Sequence, residues 1–344
     1  MSLPSPDYSH LLSLIDDSGI YEHSRYGVPR RAHGYTLDDA SRALIVLCAG
    51  PGEERSVAAS SVLLAFILDS FADGLFRNRL TFDRKWVDEP AVGDTQGRGI
   101  WALAVASTGA HRPELRNAAA SALNDVPILE SSHLRPLAFA SLGAQALWRH
   151  DPHDSNAFRF AAPAVERLNH ARLPWPETRL TYANGRVAAA MLAAGEVLDD
   201  EQLVDRGLQA LAWLVSVETR GDHFSFTPVG GWEPGDARPG FDQQPVEAAA
   251  LSDACERAWL ITGDRQWQEA ILRCGAWLLG SNDSHLRMYD PRTGATLDGL
   301  MQGNANANRG AESTIAGLAV LQACHRVIAD RASSTASQQA DGSR

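Results

Sequence analysis

The chain is poor in several things that large classes of function require. It has only four cysteines in 344 residues, Cys48, Cys255, Cys274 and Cys324. They lie far apart with no C-x-x-C spacing. They read as reduced core thiols of a cytoplasmic protein, with disulfides the lesser alternative. Positive charge is also scarce. Against 42 Asp and Glu stand 31 Lys and Arg, a formal net charge of -11. Nucleic acids and anionic membranes both need basic patches, so neither is expected as a partner. No apolar run approaches the roughly 20 residues that span a bilayer. The opening "MSLPSPDYSHLL" lacks the basic and apolar regions of a signal peptide. G-x-S-x-G, the P-loop and G-x-G-x-x-G are missing, which disfavours a serine hydrolase, an NTPase and a Rossmann enzyme. His23, His33 and His133 have no H-x-x-x-H spacing on one helix, so no metal and no cofactor is expected.

What the chain does have is a repeating helical pattern. Apolar, alanine-rich segments begin near Thr36, Thr95, Ser132, Tyr182, Asp242 and Arg309, as in "GRVAAAMLAAGEVL" and "VEAAALSDACERAWLITG". A helix apolar all round is a buried one. Five of the six are followed by a more charged, amphipathic partner, such as "DEQLVDRGLQALAWLVSVE". The N-terminal "DYSHLLSLIDDSG" is expected to supply the sixth partner by closing the ring. Six buried helices alternating with six amphipathic ones predict an all-α fold, an (α/α)6 toroid, over residues 1–330. A Ser/Ala/Gln-rich tail at 331–344 is expected to be disordered. An open α-solenoid and a two-domain bundle are the alternatives. Links within a pair are short, "AGPGE" or "TGD". Links between pairs are longer and rich in Gly, Pro and aromatics. One face of the toroid is therefore expected to be elaborated, with short β-hairpins in "GLFRNRLTFDRKW" and "GDHFSFTPVGGW".

The six buried helices start with "HGYTLDDASR", "GDTQGRGIW", "SSHLRP", "TYANGR", "GFDQQPVEAA" and "NANRGAES". Each brings polar side chains to an apolar helix. Capping explains part of this. Thr36 and Asp39 have capping-box spacing, and Asp94, Asp242 and Glu312 suit a first helical turn. A ring would nonetheless converge these starts on one cleft. The expected lining is Tyr35, Asp38, Arg98, Trp101, His133, Tyr182, Asn184, Arg186, Trp232, Asp242, Gln243, Gln244, Glu247 and Arg309, with Asp39, Asp94 and Glu312 as reacting acids. Successive helical residues point about 100° apart, so one of Asp38 and Asp39 faces inward, and Asp39 is preferred. Gly97 and Gly99 weaken a helix start, which implies close approach of a ligand or of a packed neighbour. Arg98, Arg186 and Arg309 could equally pair with the acids, and Tyr35, Trp101, Tyr182 and Trp232 could equally be core. Carboxylates, amides and aromatics together suit a polyhydroxylated ligand.

The blocks "GIYEHSRYGVPRRAHGYTLDDASRAL", "FDRKWVDEPAVGDTQGRGIWAL", "TYANGRVAAAMLAAGE", "FDQQPVEAAALSDAC" and "NANRGAESTIAGLAVL" resemble a bacterial family of six-hairpin, glycosidase-like proteins. Its members stand alone or are fused behind glycosyltransferase domains. The resemblance runs from Asp16 to Ile328. It implies the (α/α)6 fold, carbohydrate metabolism and an association with a glycosyltransferase. Where a typical member has Asp-Asn-Ala-Arg, this chain has "DDASR" from Asp38 to Arg42. The expected activity is hydrolysis of an oligosaccharide or glycoconjugate by paired carboxylates. The alternatives are a sugar isomerase or epimerase, which needs a base beside a carbonyl, and a non-catalytic glycan-binding partner of a glycosyltransferase.

Overall fold

The computed structural model describes residues 3–341, and the side chains of residues 3–334. Twelve α-helices occur among them: α1 (Ser9–Ser13), α2 (Leu37–Cys48), α3 (Glu54–Asp69), α4 (Asp94–Gly109), α5 (Pro113–Asp125), α6 (Leu134–His150), α7 (Ser155–Leu168), α8 (Gly185–Leu198), α9 (Glu201–Val217), α10 (Pro245–Thr262), α11 (Arg265–Leu278) and α12 (Ala311–Asp341). The even-numbered helices form the inner ring. Each packs on the next, and α12 returns to α2. The odd-numbered helices lie outside against their partners. This is the (α/α)6 toroid expected from the alternation.

The local causes are legible. Thr36 caps α2 by accepting from the Asp39 N–H at 3.2 Å. Asp154, Asp200 and Asp264 cap α7, α9 and α11 with side-chain oxygens, each satisfying an orphan donor. Proline at the start of α5 and α10 offers a preset φ and lacks an N–H that would be unpaired there. The inner helices are buried on all sides: in α8 every residue from Val187 to Gly195 is buried. The outer helix α11 buries one face, through Trp267, Ile271, Cys274 and Leu278. All four cysteines are free and buried.

Small residues let the ring close tightly. A Cβ on Gly97 of α4 would overlap the Pro136 carbonyl of α6, and one on Gly99 would come within 2.8 Å of the Phe76 ring. The close approach that these two glycines signal is therefore to packed neighbours and not to a ligand.

Three expectations are corrected. The sixth outer element, α1, is a five-residue helix rather than a long one, packed on α12 and α3. The α5–α6 link, residues 126–133, is short, so elaboration is concentrated in the other connections. Helix α12 continues through Asp341 and so enters the stretch 331–344 expected as a tail, whose residues 342–344 lie outside those described. Six two-stranded antiparallel pairs occur among the described residues, among them Phe71–Ala72 with Leu75–Phe76 and Thr219–Arg220 with His223–Phe224; each of these hairpins starts just before the segment expected to form it, and Arg79–Leu80 in the first segment pairs instead with Tyr35–Thr36. Among the described residues no helix is long and apolar enough to cross a membrane.

Replacing Gly97 by Ala is expected to cost about 1–3 kcal/mol through overpacking against α6. Gly109→Ala, where a Cβ meets nothing within 4 Å, should be neutral or stabilising by up to about 1 kcal/mol. Urea unfolding of both variants checks this, and equal effects would contradict the packing account.

Candidate functional site

The starts of α2, α10 and α12, with the connections beside them, border a mouth of about 380 Å³, within the usual range of small-ligand clefts. Asp38, Asp39, Arg42, Asn78, Asp242, Gln244 and Glu312 line it, with Glu22, His23 and Asp298 at its border. Below it a narrower cavity of about 120 Å³ runs into the ring, bounded by side chains from all six inner helices. Arg98, Trp101, Arg186 and Asp253 line that cavity. Arg42 and Glu312 belong to both spaces.

Arg42 is the centre of the arrangement. One terminal nitrogen donates to Asp39 at 3.0 Å and the other to Glu312 at 2.5 Å. Asp39 sits in the first turn of α2, where the Thr36 hydroxyl also donates to it at 2.8 Å. So Asp39 is part of the cap and part of the mouth at once. Its side chain is 4% exposed, whereas that of Glu312 is 41% exposed because it faces the cavity. The two acids titrate apart. Burial pushes Asp39 up to about 6, despite Arg42 and with help from the Glu312 charge. Burial also pushes Glu312 up, but the charge and hydrogen bond of Arg42 outweigh it and hold this carboxyl below its usual range. A single guanidinium shared by two carboxylates favours ionisation of one more than the other.

Arg98 lies one turn into α4 and is buried. Its guanidinium stacks on the Phe139 ring at 4.1 Å and comes within 3.5 Å of Asp38. Its Nε and the Oδ1 of Asp38 are buried without a hydrogen-bond partner among the described residues. Burial, then the like charge of Arg42, lowers the Arg98 pKa. Deeper in the cavity Arg186 stacks on Trp101 at 4.7 Å and pairs with Asp253, which Arg257 also contacts at 3.1 Å. Burial opposes ionisation of Asp253, yet the two arginines hold it down to about 2.

Of the residues expected in the cleft, Asp38, Asp39, Asp242, Gln244 and Glu312 meet at the mouth, and Arg98, Trp101 and Arg186 line the cavity. Asp94 does not crowd the other two acids. It accepts from the Tyr182 hydroxyl at 2.7 Å, and Tyr182 lies on the Arg135 guanidinium, 46% exposed. The others are turned to structure. Tyr35 is core and donates to Asp16 at 2.7 Å. Gln243 is fully buried, accepting from Phe226 N–H and Trp277 Nε1 and donating to Asp283. Glu247 accepts the N–H groups of Ala183 and Asn184 and the Asn184 side chain, fixing the start of α8 against α10. Burial lifts its carboxyl to about 7. Asn184 is internally bonded to Thr181 and Arg135. Trp232 donates to the Asp236 carbonyl and its backbone pairs with Leu180. His133 is exposed and borders neither space. Arg309 donates to the Tyr26 carbonyl at 2.9 Å and does not reach the acids. The pairing expected of it is made by Arg42, whose signal in the sequence is its place three residues after Asp39, on the same helix face. Asp253 and Arg257, four apart in "SDACER", carried the same signal.

No family model matches the chain, and no curated protein matches it. Solved structures do. A cellobiose 2-epimerase from Bacillus thermoamylovorans superposes with a TM-score of 0.69 at 12% identity, over 93% of this chain and 95% of that one. A D-mannose isomerase gives 0.67 at 13% identity, over 92% and 94%. An inactive variant of an α-1,6-mannanase from Salegentibacter sp., with two consecutive aspartates changed to asparagine, gives 0.62 at 12% identity, over 93% and 96%. At this identity the likeness is one of fold, the (α/α)6 toroid.

The unequal acids predict opposite pH dependences of stability. The folded-state pKa of Asp39 lies above its ordinary 3.8, so its contribution is whole below that value and lost as pH rises to about 6. The stability of Asp39→Asn relative to wild type should therefore rise between pH 4 and 6, by at most about 3 kcal/mol, and stay level above. For Glu312 the depressed value reverses the sign: its contribution is present above the ordinary 4.5 and fades as pH falls. Glu312→Gln should accordingly lose least, relative to wild type, at low pH. Denaturant titrations from pH 4 to 7 test both directions. Arg42→Met, which leaves a buried carboxyl unpaired, should cost about 3–5 kcal/mol at pH 7 in the same assay.

Proposed function

We propose that the protein is a carbohydrate-active enzyme that hydrolyses a glycosidic bond in an oligosaccharide or glycoconjugate. The observation that carries this reading is the Asp39–Arg42–Glu312 bridge at the mouth of a ring-axis cavity. Two carboxyls of unequal protonation stand there within reach of one ligand. Their contacts with one guanidinium, 3.0 and 2.5 Å long, limit the bonded oxygens to a separation of about 8 Å or less, a range compatible with two-carboxylate glycoside hydrolysis. Asp39, raised by burial, supplies a proton to the leaving oxygen. Glu312, ionised and facing the cavity, attacks the anomeric carbon or takes a proton from the attacking water.

A neighbouring group suits the same ligand. Arg98 lines the cavity with its Nε 3.5 Å from Asp38 Oδ1, an ion pair without a hydrogen bond, and its guanidinium offers charge-assisted donors to a ligand oxygen.

A second reading is isomerisation or epimerisation of a sugar, favoured by His23. Its imidazole borders the mouth, 49% exposed, and could act as the base that such chemistry requires. The epimerase and isomerase structures are compatible with it.

Product analysis on manno-, gluco- and galacto-oligosaccharides, with and without phosphate, separates the two. Hydrolysis yields shorter sugars, and isomerisation yields a sugar of unchanged length and altered configuration. Under the first reading Asp39→Asn and Glu312→Gln each lower kcat by about 10²-fold or more while the melting temperature moves only a few degrees. Full activity in both variants would remove these acids from the chemistry.

A further inference from the structure

At the edge of the mouth, three side chains from two short segments turn toward one point. Glu22 and His23 precede the strand pair Ser24–Arg25 and Val28–Pro29, and His33 ends the 3-10 turn Arg31–His33. One ligand atom of each, a Glu22 carboxylate oxygen and a ring nitrogen of each histidine, lies within 4.8 Å of the others. The two imidazoles stand edge to face with centroids 4.8 Å apart, and the His23 Nε2 is 3.7 Å from Glu22. Arg79 grips the Glu22 carboxylate with both terminal nitrogens, at 2.9 and 3.0 Å.

We propose that Glu22, His23 and His33 bind a divalent transition-metal ion of the zinc class at the rim of the mouth. Two imidazoles and one carboxylate form a three-ligand donor set of the kind that holds zinc with a position left open. Neighbouring ligand atoms of a tetrahedral site lie about 3.3 Å apart at zinc–ligand bonds of 2.0–2.1 Å, so the three groups need to close by only about an ångström or so. His23 is exposed and free to do so. Arg79 fixes the orientation of the carboxylate but leaves each oxygen a second lone pair, as hydrogen-bonded partners of metal ligands do. The charges around the site act both ways. Arg30 and Arg79 oppose a cation near His33. Asp298 and Glu312 face His23 and favour one. The open position borders the mouth, where water or a ligand hydroxyl would complete the shell. No single helix carries a metal-ligand spacing. The three ligands come instead from two segments brought together by the loop fold.

The test uses the untagged full chain, stripped with chelator and titrated with Zn²⁺ in a calorimeter. One ion per chain is expected, with affinity lowered about tenfold or more in His23→Ala and in His33→Ala. His153→Ala, at an exposed histidine away from the cluster, should bind as wild type does. Co²⁺ in place of Zn²⁺ should give the visible absorption of a four-coordinate site in wild type and lose it in both cluster variants. His33→Gln and melting curves guard against misfolding. No stoichiometric binding by wild type, binding unchanged in the cluster variants, or equal weakening in His153→Ala would each overturn the proposal.

Discussion

A ring of helices that are apolar on every side can hide them only if the last helix meets the first. Everything else in this molecule depends on that closure. The seam lies between α12 and α2, and polar contacts cross it. Arg42 reaches Glu312 across 270 residues of chain, and Gln322 donates to the Val46 carbonyl at 2.8 Å and to the Tyr8 hydroxyl at 2.7 Å. A buried guanidinium is tolerated only when its charge is matched, so the same contacts that close the ring also fix the acids at its mouth. The site is not an addition to the fold. It lies where the fold's final contact is made.

That placement explains why two chemically similar acids behave differently. Asp39 is sealed into the first turn of its helix beneath the Thr36 hydroxyl. Glu312 pairs with Arg42 while much of its side chain stays exposed toward the cavity. Environment and not residue type separates their protonation, as expected of paired groups in one cleft. Further in, Arg186, Asp253 and Arg257 form a second charged layer that leaves Asp253 firmly ionised. The cavity is therefore apolar in its walls and ionic in cross-section at two depths.

The inner helices were readable because all-round apolarity is an unusual pattern and because capping and turn residues mark the helix ends. α1 was not, since "DYSHLLSLIDDSG" has helical periodicity but leaves the helix after Ser13, to give Asp16 to Tyr21 and Tyr35. The site was half legible. A helix start tells which end of the ring a side chain occupies, but not its azimuth. Asp38, Asp39, Arg98 and Glu312 point inward, while Arg309 and His133 do not. Gln243, Glu247 and Asn184 carried the same polar signature for another reason. Long connections leave backbone donors and acceptors that must be paired when buried, and these side chains meet that need. Arg42 and Asp253 were written in the sequence as helical neighbours of opposite charge, a signal that looks like ordinary surface pairing until the ring turns it inward.

Joining the first and last inner helices also has a consequence in time. As the chain is synthesised its N-terminal end emerges first, and Asp38, Asp39 and Arg42 emerge early. Glu312 does not exist until nearly all of the ring has been made. A nascent chain halted before α12 would carry an arginine and two aspartates at an open edge, with no opposite wall and no enclosed cavity. The pocket comes into being at one late moment, when the last helix docks. Until then an unfinished molecule lacks the Glu312 side of the mouth.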